Sequence, residues 1–503
     1  MRRFLLVLLL LPLALSLAGC YPSGPRWTTD SDAAREELEA GLDAEMKLYW
    51  DDARDHYAQA VKLDPGFLVA MERLGHLVGR EQRQELAETL RGADLSNLSV
   101  EERFLVLYWL ARMDQDPERA ETILEERLEE APKDPFALHL AAQRASAEGE
   151  RERAVTLNQR LIAVDPNWVY AQNMLGYLAM EDGDFRAAEE QFKTYQYIAP
   201  DQANPHDSMG ELLVLLGRYE EAEKELATAL AVHPAFSPPY VNLLWIALFE
   251  QDPAKAQGVL DRVAAYRDQE DAEPDNAPQG DRDDVQQGGE GEGGSGDLEE
   301  KATTMEDDGN PWGSALRRLT CLRDLHLGYL TGDWQGAWER TDGCREPLHN
   351  VVFGHHVLLV LGDDARAAAE RATFQKNAEK YADGQKPNAR IQPAFLHMDG
   401  NALLAAGDAA GAVEAFRQAD ALLTFGGDHI ALFKLRNLGH LAAALATAGK
   451  NDEAKATWRR VAEINPHIRP FLETGLAPLI ARGVARGAAT APPETTPPPE
   501  TTD

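Results

Sequence analysis

The sequence predicts an all-α chain of stacked helical hairpins, and three observations predict it. Pro132, Pro166, Pro200 and Pro234 recur every 34 residues, and Gly149, Gly183, Gly217 and Ala154, Ala188, Ala222 keep the same step. Self-similarity at such a period is the mark of a repeat array. Ala and Leu outnumber β-branched residues within a hydrophobic content of 44%, a balance that favours helix. Finally, 503 residues exceed what one ordinary core accommodates, so the chain is either several domains or one extended array.

Residues 1–19 come first. Arg2 and Arg3 precede an uncharged apolar run, Phe4–Ala18, too short to span a bilayer and built like an export signal. It ends in Leu17-Ala18-Gly19-Cys20, which resembles the lipobox of bacterial lipoproteins. The resemblance implies cleavage before Cys20 and lipidation of that cysteine, with residues 20–33 as a tether. Several acyl chains anchor stably where one does not. The residue after the cysteine is Tyr21, not the Asp that retains enterobacterial lipoproteins in the inner membrane. The expected address is therefore the outer membrane of the cell envelope, facing the periplasm.

Residues 34–267 form an N-terminal array. Gly41, Ala53, Tyr57, Ala60 and Pro65 mark its first copy. Residues 68–134 hold two divergent copies, with Leu74-Gly75 and Ala120 in frame and Gln115 where a turn glycine belongs. Three copies closing at Pro166, Pro200 and Pro234 follow, then one over residues 237–267 with Ala256 and Leu260 in register. Within a copy, small residues such as Gly176 and Ala188 let antiparallel helices approach. Gly183 ends the first helix in a left-handed conformation, and Pro200 stops the second for want of an amide donor. Phe192 fills the space between successive pairs. This pattern resembles the tetratricopeptide repeat, whose hairpins are stabilised by stacking on their neighbours.

The region 268–310 breaks the frame. From Arg267 to Asn310 there are sixteen acidic and three basic residues around GGEGEGGSG, a composition that predicts a disordered connector. It either separates two arrays or bulges from one. A C-terminal array over 311–481 resumes with Gly332, Trp334 and Ala337, then a weak copy around Gly362. It continues through Gly400, Gly407, Ala412 and Phe416 to Gly449, Ala454, Trp458 and Pro466. About eleven copies result. Residues 482–503, ending APPETTPPPETTD, read as a disordered tail.

A net charge of −34 disfavours nucleic acid or anionic lipid as a sequence-independent partner. Gly291, Gly293 and Gly296 match G-x-G-x-x-G, but without a flanking strand and helix the match means nothing. No catalytic or metal-binding motif appears, so neither enzyme activity, a cofactor nor a metal is expected. Cys321 and Cys344 fall side by side on antiparallel helices in the repeat frame. The expected state is a disulfide, permitted by export, with two buried thiols as the alternative.

In tetratricopeptide arrays the first helix of each pair lines a concave groove. The resemblance therefore implies a partner groove along Phe136, His139, Gln143, Tyr170, Asn173, Tyr177, Asn204, Asp207, Glu211, Asn242 and Trp245, which share one face at i, i+3, i+7 spacing. The alternative is that these side chains pack between adjacent helices. Without Lys or Arg, the row suits a neutral or basic protein or peptide. His326, His397 and His440 would face the C-terminal groove. The function expected is a membrane-anchored envelope scaffold; a ligand-capturing lipoprotein partnering an outer-membrane transporter is the alternative.

Overall fold

The computed structural model describes residues 27–272, 311–340, 348–381, 391–426 and 430–490. Cys20, Cys344 and the region 273–310 lie outside them. Among the described residues there are helices and no strand.

The helices pair along the chain as expected. The pairs are α1 (Asp32–Met46) with α2 (Trp50–Leu63), α3 (Leu68–Gly75) with α4 (Arg80–Gly92), α5 (Val100–Met113) with α6 (Pro117–Glu130), and α7 (Pro135–Glu148) with α8 (Arg151–Val164). Next come α9 (Val169–Glu181) with α10 (Phe185–Ile198), α11 (Asn204–Leu215) with α12 (Tyr219–Val232), and α13 (Pro238–Phe249) with α14 (Pro253–Ala272). After the acidic segment, α15 (Pro311–Leu325) and α16 (Leu327–Thr331), separated at His326, form one arm that returns through the short α17 (Trp334–Glu339). Then follow α18 (Leu348–Leu361) with α19 (Asp364–Tyr381), α20 (Gln392–Ala406) with α21 (Ala409–Leu422), and α22 (Ile430–Thr447) with α23 (Asn451–Ile464). A final helix, α24 (Arg469–Thr490), has no second arm. Among the described residues the fold is thus eleven tetratricopeptide-type hairpins and one closing helix.

Among the described residues seven turn glycines, from Gly149 to Gly449, have φ between 71° and 92°, the left-handed region that favours glycine. Gln115 adopts φ 54° at the place where glycine is missing, so stacking imposes the turn even on an unfavourable residue. A Cβ on Gly176 would run into the Phe192 ring of its own hairpin. Phe192 therefore packs within a pair as well as toward the next, where it joins Met209 and Leu212 in one core.

The chain divides into two compact units. Within the described residues the first comprises 27–45 and 49–137. Its start departs from the expected tether: Trp27 is buried, and Thr28 donates from both N and Oγ1 to the Glu102 carboxylate at 2.5 Å. Glu102 is already fixed by its capping box with Ser99, which makes it a rigid acceptor for an incoming strand of chain. The first unit also holds a buried ionic cluster. Glu72 accepts from Arg73 Nε at 2.6 Å and pairs with His76 at 2.8 Å. Burial opposes its charge, yet Arg73 and His76 hold the carboxyl down at about 2.

The second unit comprises 46–48 and the described residues from Leu138 onward. One apolar core joins residues on both sides of the acidic segment, from Met180 through Val263 to Ala315 and Leu472, and α14 packs directly on α15. Asn465, fully buried, ties the sides together. Its Nδ2 donates to Val214 O at 3.2 Å and to Tyr219 Oη at 3.1 Å, and its Oδ1 accepts from the amides of His467 and Ile468. A Cβ on Gly217 would lie 2.5 Å from that oxygen.

The C-terminal helix differs from expectation too. It runs past Arg482, where a disordered tail was expected, to Thr490. Arg482 donates to Leu359 O, and Arg486 pairs with Asp364 at 2.7 Å. These anchors hold as helix a stretch whose composition alone does not demand one. Among the described residues no helix is long and apolar enough to cross a membrane.

Candidate functional site

Of the eleven residues expected along a groove, five are buried. Phe136 belongs to the first unit, half-buried against the edge of Trp27 at 6.3 Å with Arg73 over its ring. The other ten belong to the second. Asn173, Asn204, Asp207, Asn242 and Trp245 are buried, and they bond across helices. Ser208 Oγ donates to Asn173 Oδ1 at 2.9 Å, Asn242 Nδ2 to Asp207 Oδ1 at 3.1 Å, and Tyr177 Oη to Glu211 Oε2 at 2.8 Å. Each bond joins positions 34 or 35 residues apart, one repeat, because the first helices of neighbouring hairpins bring equivalent side chains together. Asn204 instead donates to Tyr195 Oη at 3.1 Å. Trp245 stacks on Phe249 at 5.4 Å and meets the edge of His326 at 5.2 Å. For these five the packing alternative holds.

Burial sets the electrostatics of this ladder. Burial pushes Asp207 up to about 7, against the Asn242 amide that donates to it. Desolvation, then the charge of Glu211, raises the Tyr177 phenol well above its usual value.

What remains open is an aromatic ledge. His139 on α7 meets the Tyr170 ring edge-on at 4.9 Å and Trp168 at 5.6 Å. All three are half-buried, Gln143 beside them is exposed, and Tyr177 and Glu211 continue the half-buried line on α9 and α11. Trp168, one residue ahead of α9, was missed because it lies outside the helix-face spacing.

The C-terminal groove is filled. Helix α24 crosses α16, α18, α20 and α22 and reaches α13, burying Phe471, Leu472, Leu476 and Leu479. Glycines permit the approach: a Cβ on Gly475 would run into the Tyr329 ring, one on Gly483 into the backbone oxygen of Leu404, and one on Gly439 would lie 2.6 Å from Leu472. The histidines expected at a groove surface, His326, His397 and His440, are buried, with His355 and His356. Arg436, unremarked in the sequence, is buried among them. The signal that could have exposed it is Arg436, Asn437 and His440 within five residues of one apolar helix. Among the described residues no three His, Cys, Asp or Glu side chains gather as metal ligands. Cys321 is disulfide-bonded; its expected partner, Cys344, falls outside the described residues.

No protein-family model matches the chain, and no curated protein does. Solved structures are similar to the chain at low identity. A tetratricopeptide repeat protein from Parabacteroides merdae is 11% identical over 60% of this chain and 97% of its own, with a TM-score of 0.36. The Cut9–Hcn1 hetero-tetramer of APC/C is 14% identical over 90% and 76%, with a TM-score of 0.45. A human IFIT1 dimer with m7Gppp-AAAA is 12% identical over 86% and 99%, with a TM-score of 0.42.

Proposed function

We propose that this chain is a membrane-tethered scaffold that binds a protein or peptide on the first-helix face of α7, α9 and α11. The observation that supports it is the half-buried ledge of His139, Trp168 and Tyr170, bordered by exposed Gln143. Aromatic rings give large contact area at low entropic cost. With the C-terminal groove occupied by α24, this face is where a partner segment finds room. Glu211 alongside it and the net charge of −34 favour a neutral or basic partner over nucleic acid. Cys20, in its lipobox-like setting, supplies the tether to the outer membrane, facing the periplasm, and the mechanism is surface complementarity without chemistry.

The test compares full-length wild type with His139→Ala/Tyr170→Ala and with Cys20→Ser, each expressed in a lipoprotein-processing bacterium. Photo-crosslinking from position 143 is expected to trap a discrete protein in wild type and to lose it in the double variant. Cys20→Ser is expected to leave the membrane fraction. Crosslinks to glycans alone, or a protein trapped equally well by the double variant, would overturn the scaffold reading.

A further inference from the structure

Beneath α24 lies a polar cluster that the scaffold reading does not use. Arg436 on α22 is 4% exposed. Its guanidinium stacks on Phe353 at 3.7 Å, and Nη2 donates to Tyr329 Oη at 2.8 Å. Nε and Nη1 are buried without a partner. Among the described residues no carboxylate pairs with it. A buried cation left so is costly, which is why burial pulls even this guanidinium below its usual value.

The neighbours define what would complete it. His356 on α18 has Nε2 at 3.1 Å from Gly475 O. A carbonyl can only accept, so Nε2, which also lies 3.3 Å from Tyr329 Oη, carries the proton and Nδ1 keeps its lone pair. That Nδ1 is buried and unpartnered. His397 on α20 has Nδ1 at 2.9 Å from Asn437 Oδ1, while Asn437 Nδ2 donates to Phe416 O at 2.9 Å. Nδ1 of His397 is therefore the donor, and its Nε2 is a second buried, unpartnered lone pair. His440 Nδ1 faces Asn401 Oδ1 at 2.7 Å, which leaves Asn401 Nδ2 buried and unpartnered. The rings are close: His397 and His440 centroids lie 4.6 Å apart, His440 and His356 5.7 Å. Burial, with the charge of Arg436 adding to it at all three, keeps them neutral.

The cluster thus offers donors on Arg436 and Asn401 with a positive charge, together with neutral imidazole acceptors. An oxyanion with no proton satisfies only the donors. One that still carries O–H groups satisfies both sets. We propose that Arg436, Asn401, His356 and His397 bind a single phosphate-class oxyanion in its protonated form, held under α24. The covering helix makes the ligand a small free ion, not a macromolecular phosphate.

The test is thermal unfolding of the full chain at pH 7 and constant ionic strength, titrated with inorganic phosphate, sulfate, acetate or glycerol 3-phosphate. Wild type is expected to show a saturable rise in Tm with phosphate. Sulfate and acetate, lacking a proton to give, are expected to need at least tenfold higher concentration, and the ester, too large for the covered cluster, likewise. Arg436→Met is expected to abolish the phosphate response; should it fail to fold, Arg436→Lys is expected to weaken it at least tenfold. No saturable phosphate response in wild type, or an equal one in the variants, overturns the site. Equal responses to sulfate and phosphate overturn the protonated-ion assignment.

Discussion

Lowering the pH from 7 to 5 destabilises the second unit through its buried histidines, and His397→Gln removes a defined share of that loss. His397 is held down at about 3, first by burial and then by the charge of Arg436, with His355 adding to it. The unfolded chain returns it to 6.5. The sign follows from linkage: as the pH falls through 6.5 the unfolded state takes up the proton and the folded state does not. Stability is complete above that value and declines down to about pH 3. Between pH 7 and pH 5 the loss from this one residue is about 2 kcal/mol. His355, pushed down to about 4, adds a similar amount over the same interval. Asp207, raised to about 7, works in the opposite direction, because its folded form takes up the proton first. Both contributions are shared by wild type and variant and cancel in the comparison. Urea unfolding followed by far-UV circular dichroism, in phosphate-free buffer at pH 7 and pH 5, measures it. Wild type should lose about 2 kcal/mol more than His397→Gln between the two. Equal losses in the two proteins would refute the claim that His397 is buried and neutral in the folded state.

Three other outcomes follow from the packing. Gly483→Ala places a methyl group against the Leu404 carbonyl and should cost roughly 1–3 kcal/mol, with faster amide hydrogen exchange across Arg469–Arg486; unchanged exchange there would mean that α24 is not docked as described. Asn465→Ala orphans the amides of His467 and Ile468 and removes one of the two donors to Val214 O, which keeps the Gly217 amide. It should cost about 2–4 kcal/mol by urea unfolding, and a loss under about 0.5 kcal/mol would contradict its role as a tie. Glu72→Ala leaves Arg73 buried with the longer Glu45 contact, 3.6 Å away, as its remaining ion pair among the described residues. The first unit should lose about 3 kcal/mol, most of it recovered in Glu72→Met/Arg73→Met; a double variant as unstable as the single would show that packing, not charge, carries the effect.

Legibility in the sequence tracked the repeat. Gly183, Gly217 and Gly407 were readable as left-handed turns because the frame gives every copy the same geometric demand, and Gln115 was readable as a turn despite its side chain. The line of first-helix polar residues was legible as a spacing but not as a surface. The spacing placed Asn173, Asp207 and Asn242 on one line, but whether a side chain on that line meets solvent or its counterpart one repeat away depends on how closely the helices approach. Small residues permit that approach without fixing it.

By itself, then, the sequence determined the hairpins: local periodicity sets where each helix starts, turns and stops, and each hairpin needs only the next to bury its apolar face. Only the tertiary structure decided that α24 lies across the C-terminal first helices, that Arg436 is sealed beneath it, and that Asn465 meets Tyr219 and Val214 across 246 and 251 residues. Such contacts form where the stacked array brings distant segments together. They repeat with no period, so nothing in the spacing of residues announces them.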